Sequence, residues 1–277
     1  MTQVEKGKAF RALHERANAF IIPNPWDAGS AKILAHMGFE ALASTSMGYA
    51  FSIGKCDNTL DRAEVMAHVA ALCSATNLPV SADLENGFGD DPATCAETIR
   101  MGAAAGLVGG SIEDARSEGA SGRTNQPIYD LAHAVNRVRA AVEAARSLPF
   151  TFTLTARAEN YLHGRPDLAD TIKRLQAYQE AGADVLYAPG LLTKDDIATV
   201  VRSVDRPVNV LMGLQGVRLT LAELSATGVK RVSVGSALAR VALGALLRAG
   251  REMKEHGTFN FADQAASSKE ITAIFRA

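Results

Sequence analysis

Three acidic side chains stand just beyond two short runs of small and apolar residues: Asp83 and Glu85 follow Val80-Ser81-Ala82, and Glu113 follows Gly109-Gly110-Ser111-Ile112. Asp57, in an earlier loop, adds a fourth carboxylate. Like charges brought to one place repel unless a cation lies among them. Oxygen ligands with no histidine or cysteine among them suit a hard ion, Mg2+ or Mn2+, rather than zinc. Arg157 offers, from the opposite side, a planar fork for a carboxylate or phosphate. The turn Thr45-Ser46-Met47-Gly48 can present backbone N–H donors to a second anionic group. Such a set would hold a small di-anionic acid on a metal that stabilises an enolate-type oxyanion. Each feature also has a plainer reading. Asp83-Leu84-Glu85 is compatible with a solvated loop, Arg157 with a simple pair to Glu159, and Trp26 and Met47 with packing rather than a substrate wall. The six histidines show no ligand spacing, and His163 reads as solvated.

These residues need elements that bring them to one rim. Short apolar, β-branched runs alternate with longer Ala-rich helical stretches, a pattern that predicts a parallel sheet because each return needs a crossover. Eight strands are expected, at 20–23, 40–44, 80–83, 107–112, 150–155, 184–187, 207–211 and 231–234. Eight β/α units in a chain of 277 residues fit an α/β (β/α)8 barrel of the TIM type. The even strands are entered through Gly38, Gly102, Gly182 and Gly228, each suited to a left-handed helix C-cap. The odd strands after the first are entered through Pro79, Pro149 and Pro207, which stop the preceding helix. No linker or low-complexity tract interrupts the series, so residues 1–277 are expected to form one domain. Residues 1–18 supply a leading helix, 19–236 the barrel and 237–277 C-terminal helices. Phe259, Phe261 and Phe275, outside the eight-fold series, need something to cover them. In such a barrel, chemistry gathers where strands run out into βα loops.

Composition excludes several function classes. Lys and Arg number 29 against 30 Asp and Glu, too balanced for a general nucleic-acid or anionic-membrane binder. Cys56, Cys73 and Cys95 show no C-x-x-C spacing, so neither a disulfide framework nor a zinc knuckle is expected. The first residues carry Glu5, Lys6, Lys8 and Arg11 without an apolar run, and no segment reads as a membrane span, so a cytoplasmic protein is expected.

The segments NPWDAGSAKIL (24–34), STSMGYAFSIGKCD (44–57), VSADLENGFGDDP (80–92), SIEDA (111–115) and TARAEN (155–160) resemble the isocitrate lyase/phosphoenolpyruvate mutase superfamily. The likeness is to its carboxyvinyl-carboxyphosphonate phosphorylmutase-like branch and spans about residues 10–250. The resemblance implies a Mg2+-dependent site working on 2-oxo or 2-hydroxy acids through an enolate. Asp83 would then hold the metal directly, with Asp57, Glu85 and Glu113 on its waters, and Thr45 to Gly48 and Arg157 on the substrate carboxylate. It also implies a homo-oligomer, a dimer of dimers that exchanges its last helix. The lyase branch carries a Lys/Arg-Cys-Gly motif in the loop after strand four, whereas 115–125 here has neither cysteine nor lysine. Gly119 and Gly122 would permit a mobile lid, from which Arg116, Glu118, Arg123 or Asn125 could project inward. Pro189 replaces a glutamate after strand six, and Asn209 falls near the place of an asparagine on strand seven. These departures argue against an isocitrate or methylisocitrate lyase. The expectation is a metal-dependent carbon–carbon lyase on a small 2-oxo acid, decarboxylating an oxaloacetate-like substrate, with Asp57, Arg157, Glu118 and Asn125 as catalytic candidates. A phosphorus–carbon bond enzyme, and a barrel that binds a dicarboxylate without turnover, are the alternatives. A Schiff-base aldolase is disfavoured because no strand ends in lysine.

Overall fold

The computed structural model describes residues 1–116 and 128–276. Helix α1 (Gln3–Glu15) leads, then β1 (Phe20–Ile22), α2 (Ala28–His36), β2 (Leu42–Ala43), α3 (Ser46–Ser52), α4 (Arg62–Ala75) and β3 (Val80–Asp83). Next come α5 (Pro92–Ala104), β4 (Gly109–Glu113), α6 (Leu131–Arg146), β5 (Thr153–Arg157), α7 (Leu168–Glu180), β6 (Val185–Tyr187) and α8 (Lys194–Arg202). The chain ends with β7 (Val208–Leu211), α9 (Leu221–Ala226), β8 (Arg231–Ser233), α10 (Ala237–His256) and α11 (Ser268–Arg276).

All ladders are parallel, in the order β1-β8-β7-β6-β5-β4-β3-β2, which makes a nearly closed (β/α)8 barrel. The seam between β1 and β2 is fastened by one backbone bond, Ala43 N to Pro23 O at 3.1 Å, and by Asn24. The Asn24 amide donates to Ser44 O at 3.0 Å, and its oxygen accepts from Val234 N and Gly235 N, both at 2.9 Å. One side chain thus ties the mouths of β1, β2 and β8. The opposite end is plugged by α1, whose Phe10 and Leu13 pack with Phe20, Ile22, Ala41 and Val108. Gly7 permits this approach, since a Cβ there would lie 2.3 Å from Thr151 O.

Helix starts follow the sequence signals. Asp61 and Glu64 form a capping box on α4, and Asp91 caps α5 with Pro92 in its first turn. Among the entry glycines, Gly38, Gly182 and Gly228 are left-handed, as expected. Gly102 is not: α5 runs on to Ala104, and Gly106, at φ +105°, takes the left-handed position. Gly102 is instead a contact point, where a Cβ would meet Leu107 at 3.0 Å.

Two strands end later than the sequence pattern suggests. β4 runs through Glu113 and β5 through Arg157, and these two residues are register partners. The apolar residues Leu107, Val108 and Phe150, read as strand starts, lie in the joints before the ladders begin. Glu113 and Arg157 are therefore ladder residues, with their backbones fixed on both sides, rather than loop residues.

Candidate active site

Asp83 closes β3 with its carboxylate at the mouth of the barrel. One oxygen accepts from Ser46 Oγ at 2.9 Å, and the other accepts from Arg157 Nη1 at 2.8 Å. Arg157 also sends Nη2 to Glu113 Oε2 at 3.1 Å and Nε to Glu159 Oε1 at 2.8 Å. The guanidinium is thus inserted among the carboxylates instead of facing them across the mouth, and the pair with Glu159 exists alongside the other two. Its side chain is 6% exposed. Burial pulls its pKa down, but the facing carboxylates of Glu159, Glu113 and Asp83 outweigh that and hold it well above the ordinary arginine value. Its charged carbon stands 5.1 Å from the centre of the Tyr187 ring, a cation–π contact.

Glu85 is buried, in left-handed backbone at φ +48°, and its carbonyl accepts from Glu113 N at 2.9 Å. A non-glycine residue in this region costs about 1–2 kcal/mol and persists only where the surroundings impose it. Arg137 imposes it here: its guanidinium donates to the carbonyls of Asn86, Gly89 and Asp90, clamping the loop from below. Ser46, Met47 and Gly48 are not a free turn but the opening of α3, capped by Thr45, whose hydroxyl accepts from Gly48 N at 3.2 Å.

A cavity of about 190 Å³ lies inside this mouth, lined by Thr45, Ser46, Met47, Asp83, Arg157 and Asn209 among the expected residues. That is small beside the roughly 300 Å³ at which sites for drug-sized ligands begin. Trp26, Gly48, Asp57, Glu85 and Glu113 do not line it; Trp26, before α2, and Asp57, in the loop after α3, are half-buried, and Gly48, Glu85 and Glu113 are buried behind the wall. Glu118 and Asn125, with the glycines of the expected lid, lie outside the described residues. Among the described residues, no three His, Cys, Asp or Glu side chains are grouped so as to hold a metal by themselves.

Beside Glu113, Asp114 turns away from the mouth and accepts from Tyr178 Oη at 2.6 Å, Arg174 Nη1 at 3.0 Å and Glu159 N at 2.8 Å. Burial pushes its carboxyl pKa up, against the hydrogen bonds from Tyr178 and the Glu159 amide. It anchors the loop that carries Glu159. His163, expected to be solvated, is buried, with Nε2 at 3.8 Å from Glu159 Oε2 one turn earlier in the segment after β5.

The sequence reading passed over Tyr187, Arg231 and Arg240, which also line the cavity. Burial pushes the Tyr187 hydroxyl up to about 12, so it stays protonated and able to donate. The charged lining then comprises one carboxylate, Asp83, against three guanidinium groups, Arg157, Arg231 and Arg240. Register holds the missing signal. Glu113, Arg157, Tyr187, Asn209 and Arg231 are successive partners across β4 to β8, and a row of partners in a parallel sheet shares one face.

Known proteins resemble this chain over nearly all its length. It is 62% identical to a crystal structure from Burkholderia cenocepacia J2315, provisionally described as a lyase/mutase, with a TM-score of 0.94 over 99% of this chain and 97% of that one. An uncharacterized protein of Mycobacterium tuberculosis (strain CDC 1551 / Oshkosh) is 32% identical over 89% of each chain. The 2-methylisocitrate lyase of Escherichia coli (strain K12) is 33% identical over 65% of this chain and 61% of its own length. More distant relatives include an oxaloacetate decarboxylase of Bradyrhizobium diazoefficiens, 27% identical over 72% of this chain and 71% of its own. Residues 10–254 match the phosphoenolpyruvate phosphomutase family, and with the barrel and the Asp83–Arg157–Glu113 mouth in place, the chain belongs to that family.

Proposed function

We propose that this protein is a divalent-metal-dependent lyase that breaks a carbon–carbon bond in a small di-anionic 2-oxo acid, as in decarboxylation of an oxaloacetate-like substrate. The observation that carries the reading is the cavity lining, where Asp83 stands paired with Arg157 and two further guanidinium groups, Arg231 and Arg240, are placed to meet an anionic ligand. Relatives named 2-methylisocitrate lyase and oxaloacetate decarboxylase support carbon–carbon cleavage.

The donor set fits Mg2+ or Mn2+ held sparingly. Magnesium keeps several waters and commonly takes only one or two protein carboxylates. Asp83, whose carboxylate stands at the cavity wall, would be that ligand, with Glu85, Glu113 and Asp57 the candidates to hold the ion's waters. When bound, the ion polarises the 2-oxo group and stabilises enolate charge.

The rest falls to the chain's own groups. Arg157 exchanges part of its hold on Asp83 and Glu113 for the substrate carboxylate, which its fork can grip in two places. Ser46 and the backbone that opens α3 orient the same end of the acid, and Asn209 with Ser233 forms the far wall. The carbon–carbon bond to the leaving carboxylate breaks, its electrons enter the enolate, and carbon dioxide departs. A proton then goes to the former β-carbon, for which Glu118 is the sequence's candidate donor, with Asn125 a candidate to position the substrate. Three free thiols, with Cys56 exposed, suit a reducing cytoplasm. Helix α10 buries only Ala239 and leaves Val241, Leu246, Leu247 and Met253 exposed, which supports assembly with further copies of the chain.

The test is carbon-13 NMR of oxaloacetate incubated with Mg2+ and either the wild type or Asp83→Ala. Pyruvate formation faster with the wild type than with the variant supports the reading, and equal rates refute it. Consumption of phosphonopyruvate in place of oxaloacetate would move the reaction to a phosphorus–carbon bond.

A further inference from the structure

Arg231 opens β8 with its side chain turned into the barrel and only 5% of the residue exposed. Its guanidinium meets neutral acceptors. Nε donates to Asn209 Oδ1 at 2.8 Å, Nη2 to Thr155 Oγ1 at 3.0 Å, and Nη1 stands 3.4 Å from His14 Nε2. His14 Nδ1 lies 2.8 Å from the Phe10 carbonyl, so the ring proton belongs on Nδ1 and Nε2 offers its lone pair to the guanidinium. Burial, reinforced by the neighbouring Arg231 charge, pushes His14 down to about 3, which keeps the ring neutral. Among the described residues no carboxylate pairs with this cation, whereas Arg157 pairs with three.

The contrast has a physical meaning. Interiors of these barrels are ordinarily filled by branched apolar side chains. A buried charge without a counter-ion is costly, and an apolar residue of similar size in its place is often neutral or stabilising. Stability therefore does not account for Arg231. The cavity wall includes it, together with Asn209, Ser233 and Tyr187, which it organises. Because a guanidinium only donates, it fixes the Asn209 oxygen toward itself and turns the amide nitrogen to Ser233 Oγ, 3.0 Å away. Ser233 and Tyr187 line the same wall, and the Tyr187 ring lies against Arg157.

We propose that Arg231 is an anion-recognition residue of this cavity: its unneutralised charge selects doubly over singly charged acids, and its fork positions Asn209 and Ser233 to receive them. The proposal rests on reading the cavity as an acid-binding site, and it adds the residue that sets the charge preference.

Calorimetric titration of the whole protein in Mg2+ with oxalate and with oxamate tests it, since these are near-isosteric ligands of two charges and one. Arg231→Met should weaken oxalate binding at least about tenfold and oxamate binding much less, while the melting temperature holds or rises. Arg231→Lys should keep most of the oxalate preference because it keeps the charge. Should Arg231→Met fail to fold, Arg231→Gln, which can still meet Asn209 and Thr155, is read in its place. An unchanged oxalate-to-oxamate ratio in the charge-removing variant overturns the proposal, as does an equal loss for both ligands with a lowered melting temperature. Equal loss of preference in the lysine variant also overturns it. If the wild type itself binds no oxalate, the acid-site reading falls and this inference falls with it; wild-type binding with an unchanged ratio in the variant defeats this inference alone.

Discussion

Replacing Arg157 by methionine keeps an unbranched apolar stem and removes the charge from the centre of three carboxylates. The partners lie at 2.8, 3.1 and 2.8 Å, and Asp83, Glu113 and Glu159 are 17, 7 and 0% exposed in their side chains. Water can reach Asp83 in part but not Glu159, so the variant leaves at least one fully enclosed carboxylate without its cation. Breaking a buried pair from one side costs about 3–5 kcal/mol. In a domain of this size each kcal/mol moves the melting temperature by about 2–4 °C, so Arg157→Met should melt on the order of 10 °C below the wild type. The same deletion makes the mouth more attractive to a divalent cation, because three negative groups lose their resident counter-charge. Mg2+ at 100 times its dissociation constant would return about 2.7 kcal/mol. Differential scanning calorimetry with and without saturating Mg2+ measures both effects. The expected result is a large deficit that Mg2+ narrows in the variant more than it raises the wild type. A fall under about 3 °C, or equal Mg2+ stabilisation of both proteins, would refute the reasoning that Arg157 is the electrostatic keystone of the mouth.

Acid should destabilise the fold through two buried histidines. Burial pushes His14 to about 3 and His68 to about 4, against the ordinary 6.5, so the unfolded chain binds protons first and stability present above pH 6.5 is lost as pH falls toward those values. Urea midpoints between pH 7 and 4 should fall, and His68→Phe should flatten the slope; an identical slope in the variant contradicts the assignment. Asp83→Ala should cut Mg2+-dependent turnover by two orders of magnitude or more while leaving the far-ultraviolet circular dichroism unchanged, and retained turnover would remove Asp83 from the metal site. Light scattering on the wild type should give a multiple of the 29.2 kDa chain, and Leu246→Glu with Leu247→Glu on α10 should lower that mass. The same mass for both proteins would mean that another surface carries assembly or none does.

Local signals carried much of the fold. Proline at the odd joints and left-handed glycine at most of the even ones each act within a few residues, so one chain suffices to read them. Gly102 shows the limit. Its neighbourhood suited a C-cap, yet packing against Leu107 keeps α5 going, and the cap moves to Gly106. The site was legible in its parts and not in its pairing. Asp83, Glu113 and Arg157 are conspicuous because charge at strand ends is unusual, but whether a guanidinium faces carboxylates or sits among them depends on the register between β4 and β5. The burial of His163 and the partners of Asp114 were hidden for the same reason, since Tyr178, Arg174 and Glu159 belong to segments that meet only after the barrel closes.

Arg231 marks where reading one strand at a time stops working. At the start of β8, far in sequence from every acidic motif, it looks like a strand-entry charge bound for solvent. Register puts it beside Asn209, Asn209 beside Tyr187 and Tyr187 beside Arg157, so the cation at the floor and the cation at the mouth belong to one row. A single substitution along that row should therefore be felt at both ends of a bound acid, whereas a substitution one residue away on any of these strands reverses face and should be felt at neither.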